Sequence, residues 1–112
     1  MLIGSNRIVV TEMIRLEVVG GAKSNKEFEN FRADFSALEC LKTTEREWNL
    51  AEHLSFDLNR KGRRVPSTDL LIAAVAISYN LPLWHIDSDF ERVRSVAANL
   101  DTYWYPKRFP DI

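Results

Sequence analysis

The chain has 112 residues, 46% of them apolar and 28% charged, which suits one compact domain and excludes a disordered or fibrous class. Fifteen basic and 16 acidic residues give a formal charge of −1, so any nucleic-acid contact must come from local clustering rather than bulk charge. The single cysteine, Cys40, excludes an internal disulfide and a thiolate zinc site and suits a reducing cytoplasm.

Arg7–Val10 is a short β-branched run and reads as a strand. Thr11 can cap a following helix, which Gly20-Gly21 ends. Ser24 opens a second helix whose Phe28, Phe31, Phe35 and Leu38 form one apolar stripe. Cys40–Lys42 fits no single state. Thr44 opens a third helix with the stripe Trp48, Ala51, Leu54 (or Ser55) and Leu58, closed by Gly62. Val65-Pro66 forces an extended step. Ser67 or Thr68 then caps a fourth helix, which runs to about Tyr79, with Asn80 as a left-handed stop. Leu81–Ile86 reads as a strand. Ser88 or Asp89 opens a short helix through Val96, and Thr102–Tyr105 is a last strand. Strands alternating with helices predict a parallel sheet covered on both faces. The start lacks a signal-peptide pattern, and the longest apolar run, Leu70–Ile77, is too short to span a bilayer. The whole chain, 1–112, is expected to form one domain.

Candidate site residues emerge from this layout. Leu70–Ile77 is apolar on every side, so the fourth helix is expected to be buried all round. Asp69 lies in its first turn. It is either an ordinary acid favoured by the helix dipole or a member of a site. Asp87 follows a buried strand at its carboxyl end, where open α/β sheets bind ligands, and Asp89 comes two residues later. Asp87 and Asp89 read equally well as helix-capping acids. Helix N-termini and strand C-termini share one rim of such a sheet, so Asp69, Asp87 and Asp89 can converge there. Converging carboxylates raise one another's pKa unless a cation lies among them, and oxygen donors suit magnesium or manganese. Glu17 shares a helical face with Met13, Ile14 and Val18; a buried acid there needs a partner, whereas an edge acid would reach solvent. Glu12, in the first turn, is its rival. Arg60, Lys61, Arg63 and Arg64 form either a solvated loop or a phosphate-positioning patch beside Asp69. There is no P-loop, no Gly-x-Gly-x-x-Gly and no Gly-x-Ser-x-Gly, and neither His53 nor His85 has metal-ligand spacing.

Three blocks carry a family resemblance: Leu16-Glu-Val-Val-Gly-Gly-Ala-Lys-Ser24, Pro66-Ser-Thr-Asp-Leu-Leu-Ile-Ala-Ala74 and Leu81-Pro-Leu-Trp-His-Ile-Asp-Ser-Asp-Phe90. In order and spacing they resemble the PIN-domain ribonucleases, especially the VapC toxins of toxin–antitoxin pairs, over about Ile8 to Val96. The resemblance implies a three-layer α/β/α fold. It implies a Mg²⁺- or Mn²⁺-dependent endoribonuclease in which Glu17, Asp69 and Asp87 hold the metal and Asp89 is an accessory acid. It further implies a homodimer and a cognate antitoxin whose C-terminal segment blocks the site. Two features depart from the family. PIN domains open with a central strand carrying Asp-Thr or Asp-Ser, the first metal ligand. Met1 to Asn6 holds no acid, and Arg7–Val10 matches the family's second strand, so a chain truncated at its N-terminus is expected. His85 stands where the family usually has Thr or Ser, and it reads as a satisfied histidine or as a phosphate or metal contact. The competing reading is an impaired or inactive remnant that acts only as a module binding an antitoxin or a second copy. A third is a stable structural domain that binds neither metal nor partner.

Overall fold

The structure is a computed structural model, and it describes residues 2–4, 7–85, 89–97, 99 and 102–104. The elements are β1 (Leu2–Gly4), β2 (Arg7–Thr11), α1 (Glu12–Gly20), α2 (Asn25–Ser36), β3 (Glu39–Leu41), α3 (Glu45–Arg60), α4 (Ser67–Ser78), β4 (Leu83–His85), α5 (Asp89–Arg94) and β5 (Thr102–Trp104). The α/β class stands. Thr102–Trp104 forms the expected last strand, while Tyr105, Ile86 and Ser88 lie outside the described residues.

The strands form one sheet in the order β3-β2-β1-β4-β5. β2 pairs with β3 and β4 with β5, both in parallel. β1 lies between these two units and runs antiparallel to both. The centre of the sheet, where the family's Asp-bearing strand is expected to be missing, is occupied by Leu2-Ile3-Gly4. This strand carries no acid and runs against its neighbours, so the sheet is mixed at its middle.

The helix starts follow from local chemistry. Thr11 Oγ1 accepts the Ile14 N–H at 3.0 Å, and Ser24 Oγ accepts the Glu27 N–H at 3.1 Å. Both fill donors that a helix start leaves open. Thr44 begins α3 with a capping box closed by Glu47. α4 differs from expectation: Pro66 holds the N-cap position, and no side chain caps the helix. Ser67 is already helical, because proline's fixed φ presets the turn and its missing N–H costs nothing there. Gly62, at φ +68°, and Asn80, at φ 54°, take the left-handed conformation that stops a helix.

The core forms around α4. Leu70 through Ala76 are all buried, with Ala73, Ala74, Val75 and Ala76 wholly so. They pack with Val9, Ala51, Leu54, Leu58, Leu83, Phe90 and Val93. Val9 faces this cluster. Val10, which points to the other face of the strand, is also wholly buried and lies outside the cluster. Both faces of β2 are therefore covered. The α3 stripe holds at Ala51, Leu54 and Leu58 and differs only at its first member: Glu47 is buried there, while Trp48 is 52% exposed. On α2 only Phe35 is buried; Phe28 sits at the surface. No helix among the described residues is long and apolar enough to cross a membrane.

Candidate active site

The register fixes which strand ends lie together. Leu2 pairs with Val9 on one side and with Leu83 on the other. Since β1 opposes both neighbours, β2 and β4 run in the same direction, with Val9 and Leu83 level. Two residues on, Thr11 and His85 end their strands on one rim, beside Leu41 and Trp104. α1 starts directly after Thr11, and α5 starts at Asp89, four positions after His85. That rim is where the sequence places its acids.

Asp69 is half-buried in the first turn of α4. α4 packs against both α1 and α5. Two residues beyond Asp69, Leu71 lines a groove with Glu12, Met13 and Leu16 of α1. The start of α4 is thus brought beside the start of α1. Glu17 lies farther along α1 and is exposed. The apolar face formed by Met13 and Ile14 packs on the core but does not continue to Glu17, so burial demands no partner for its carboxylate. Asp87 lies outside the described residues. Asp89 opens α5, and its side chain lies outside them too. Among the described residues no three His, Cys, Asp or Glu side chains gather as a metal site.

Glu12 has a structural task. Its carboxylate accepts the Thr43 N–H at 2.7 Å and lies 3.9 Å from Lys42 Nζ, which ties the start of α1 to the end of β3. Cys40, half-buried on β3, has its thiol pKa pushed up by burial and then by the nearby Glu12 charge. That disfavours the reactive thiolate. His53 is exposed, with Nδ1 2.9 Å from the Asn49 carbonyl oxygen one turn back. His85 has its side chain outside the described residues.

The structure divides the basic run. Lys61 Nζ donates to the Ser95 carbonyl at 3.0 Å, fastening the end of α3 to the end of α5. The Arg60 guanidinium lies over the Phe56 ring, 5.6 Å from its centre. Arg60 and Lys61 line a groove with Asp57, Ser95 and Val96. Arg64 instead lines a separate groove with Ser55, Asn59, Val65, Pro66 and Ser67, at the first turn of α4. Sequence reasoning treated the four cations as one patch. It did not single out Asn59, because nothing in a helix sequence marks an asparagine as lining a groove formed by a later segment.

The sequence model of the PIN domain matches residues 2–96. The chain belongs to the PIN-domain family. Among its relatives, Ribonuclease VapC21 of Mycobacterium tuberculosis is 40% identical over 63 residues, covering 54% of this chain and 46% of that protein. The match thus extends over about half the length of the curated relative. Among solved structures, the fold is similar to VapBC-5 from Mycobacterium tuberculosis, a member of the VapBC family of toxin–antitoxin systems. There the TM-score is 0.70 and the identity 28%, over 88% of this chain and 82% of that one. VapBC2 from Rickettsia felis, bound to a DNA fragment from its promoter, gives a TM-score of 0.73 at 24% identity over 88% and 74% of the two chains. VapBC-1 from nontypeable Haemophilus influenzae gives 0.75 at 19%, over 93% and 78%. At these last two identities the likeness is one of fold.

Proposed function

We propose that this PIN-domain chain is a metal-dependent endoribonuclease of the VapC toxin type, which hydrolyses RNA phosphodiester bonds in the cytoplasm and is neutralised by a cognate antitoxin. The observation that carries the reading is the shared rim. β2 and β4 end together there, α1 and α5 begin close by, and the α4 turn bearing Asp69 packs beside α1.

Glu17, Asp69, Asp87 and Asp89 are a set of carboxylates, the donor chemistry that hard divalent cations such as Mg²⁺ or Mn²⁺ prefer. In this reading Glu17, Asp69 and Asp87 would hold the ion directly or through water, and Asp89 would orient a water or hold a second ion. A bound ion would supply an acidified water and offset negative charge on the phosphate. The chain's own residues do the rest. Asp69 stands in the first turn of α4, the end of a helix where negative charge is favoured. Exposed Glu17 is free to turn toward a ligand at the rim. Arg60, Lys61, Arg63 and Arg64 offset the repulsion that an acidic rim exerts on RNA.

The test is cleavage of single-stranded RNA with Mg²⁺ or Mn²⁺. Asp69→Asn should lose most of the activity; equal rates in Asp69→Asn and the parent would sink the role given to Asp69. The second reading is a protein-binding module, paired with an antitoxin or as a homodimer. It is favoured by exposed Leu16 and Trp48, 65% and 52% accessible, which flank one groove with Met13 and Leu71. Apolar side chains grouped around a groove mark interaction surfaces. A chain that binds neither metal nor RNA but sediments as a dimer, or pairs with an antitoxin, would favour this second reading.

A further inference from the structure

The groove beside the first turn of α4 is set apart by its lining. It has a volume of about 540 Å³ and is formed by Ser55 and Asn59 of α3 with Arg64, Val65, Pro66 and Ser67. That is within the range of small-ligand sites, roughly 300–1,000 Å³. Val65, half-buried, and Pro66 supply an apolar surface. Ser55, Asn59 and Ser67 supply neutral hydrogen-bonding groups, and Arg64 supplies the one positive charge among the described lining residues.

These polar groups are not used up by the fold. The Asn59 carbonyl accepts the Gly62 N–H at 3.0 Å, but its side-chain amide has no partner among the described residues. The same holds for the Ser55 and Ser67 hydroxyls and for the Arg64 guanidinium. Nearby, Ser78 Oγ donates to Glu47 and Lys61 Nζ to the Ser95 carbonyl, so those two side chains are held by the fold. Asn59 and Arg64 therefore stand ready for a ligand with one anionic group and one planar, hydrogen-bonding, partly apolar group. A nucleotide of single-stranded RNA has both. Unstacked bases are read on their edges by side chains of this kind. An amide matches the N6 and N7 edge of adenine with two hydrogen bonds.

We propose that this groove is a base-reading subsite for single-stranded RNA, in which the Asn59 amide selects adenine and Arg64 binds the adjoining phosphate. The proposal rests on the ribonuclease reading for its substrate class. Ser67 lines the groove, and Asp69, two residues on in the first turn of α4, projects from another side of the helix, so a nucleotide read here would flank the cleavage site rather than occupy it. The subsite then determines which sequence is presented for cutting.

The test is binding of four homopolymeric hexaribonucleotides, of A, C, G or U, to the full chain by fluorescence anisotropy in EDTA, so that cleavage plays no part. The parent should bind the adenine oligomer about tenfold tighter than the others, and Asn59→Ala should bring all four within about twofold. Arg64→Ala should weaken all four alike and flatten the salt dependence by about 0.7 in log–log slope. Unchanged selectivity in Asn59→Ala overturns the proposal, as does a parent that binds none of the four. Asn59 is exposed, and matching thermal melts verify that its variant is folded. Selectivity lost in Asn59→Ala, with no metal-dependent cleavage by the parent, retains the groove and removes the ribonuclease reading. Cleavage by the parent, with selectivity untouched by Asn59→Ala, does the reverse.

Discussion

The Glu47 carboxylate accepts the Ser78 hydroxyl at 2.6 Å and joins the first turn of α3 to the last turn of α4. The same side chain accepts the Thr44 N–H at 2.8 Å and the Thr44 Oγ–H at 2.6 Å. Glu47 is only 2% exposed. Burial pushes its pKa up, but the bonds from Ser78 and Thr44 outweigh this and hold it below the ordinary value of 4.5. Arg46 donates to the Ser78 carbonyl and Tyr79 to the Lys42 carbonyl nearby, so the joint is reinforced on both sides.

Removing that carboxylate leaves the Ser78 and Thr44 donors, in a partly buried joint, without their acceptor. Glu47→Ala should destabilise the chain by about 2–3 kcal/mol in urea unfolding. The pH dependence has a definite sign. A folded pKa below the unfolded one stabilises above the unfolded value, and the gain is lost as pH falls through the folded value. The stability difference between the parent and Glu47→Gln should therefore be full at pH 7 and shrink below about pH 4.5. A difference that grows on acidification would contradict this account.

The all-round burial of α4 makes a second prediction. Ala74 has no accessible surface, and Leu58 has 1%. Ala74→Leu should cost about 1–3 kcal/mol through overpacking. Leu58→Ala should cost about 2–5 kcal/mol through the cavity left behind. Thermal and urea unfolding measure both.

Asn80 and Gly62 hold left-handed backbone conformations. Gly62→Ala should cost about 1–2 kcal/mol, because a Cβ is disfavoured there. A Cβ at Gly62 would meet nothing within 4 Å, so the cost is conformational rather than a clash. Asn80→Gly should be close to neutral, whereas Asn80→Val should destabilise. Urea midpoints compare the three.

Metal binding offers a readout apart from catalysis. Saturating Mn²⁺ at about a hundred times its Kd should add about 2.7 kcal/mol to parent stability. Asp69→Asn should lose most of that gain while keeping its metal-free stability within about 1 kcal/mol, the scale of a first-turn acid. Thermal shift with and without EDTA tests both halves.

The division of the basic run can be read from salt titrations. Arg63→Glu and Arg64→Glu should each flatten the salt dependence of RNA binding. Lys61→Gln should flatten it less and also loosen α5, because Lys61 spends a hydrogen bond on the Ser95 carbonyl. Hydrogen exchange in α5 reports the latter effect.

Much of this fold is legible in local patterns. Thr11, Ser24 and Thr44 each precede a helix as caps, Gly62 and Asn80 each end one, and Leu70–Ala76 is buried as its composition predicts. What fails is what local pattern does not encode. Trp48 fits an apolar stripe by spacing, yet Glu47 takes the buried position because Ser78 and Thr44 satisfy it. The pairing of β1 depends on β4, far away in the chain. Of the site, the sequence places Asp69 at a helix start and α5 beyond the end of β4, as found. It does not show that Glu17 is exposed, since exposure depends on where the core stops.

The central position of β1 also orders events in time. Its pairing with β2 joins neighbours in sequence, so it is cheap in loop entropy and forms early. Its other edge must wait for Leu83, which emerges from the ribosome only after α1 through α4. Until then the growing chain presents an unpaired strand edge, a template for aggregation. The segment that completes the sheet is thus also a hazard during synthesis.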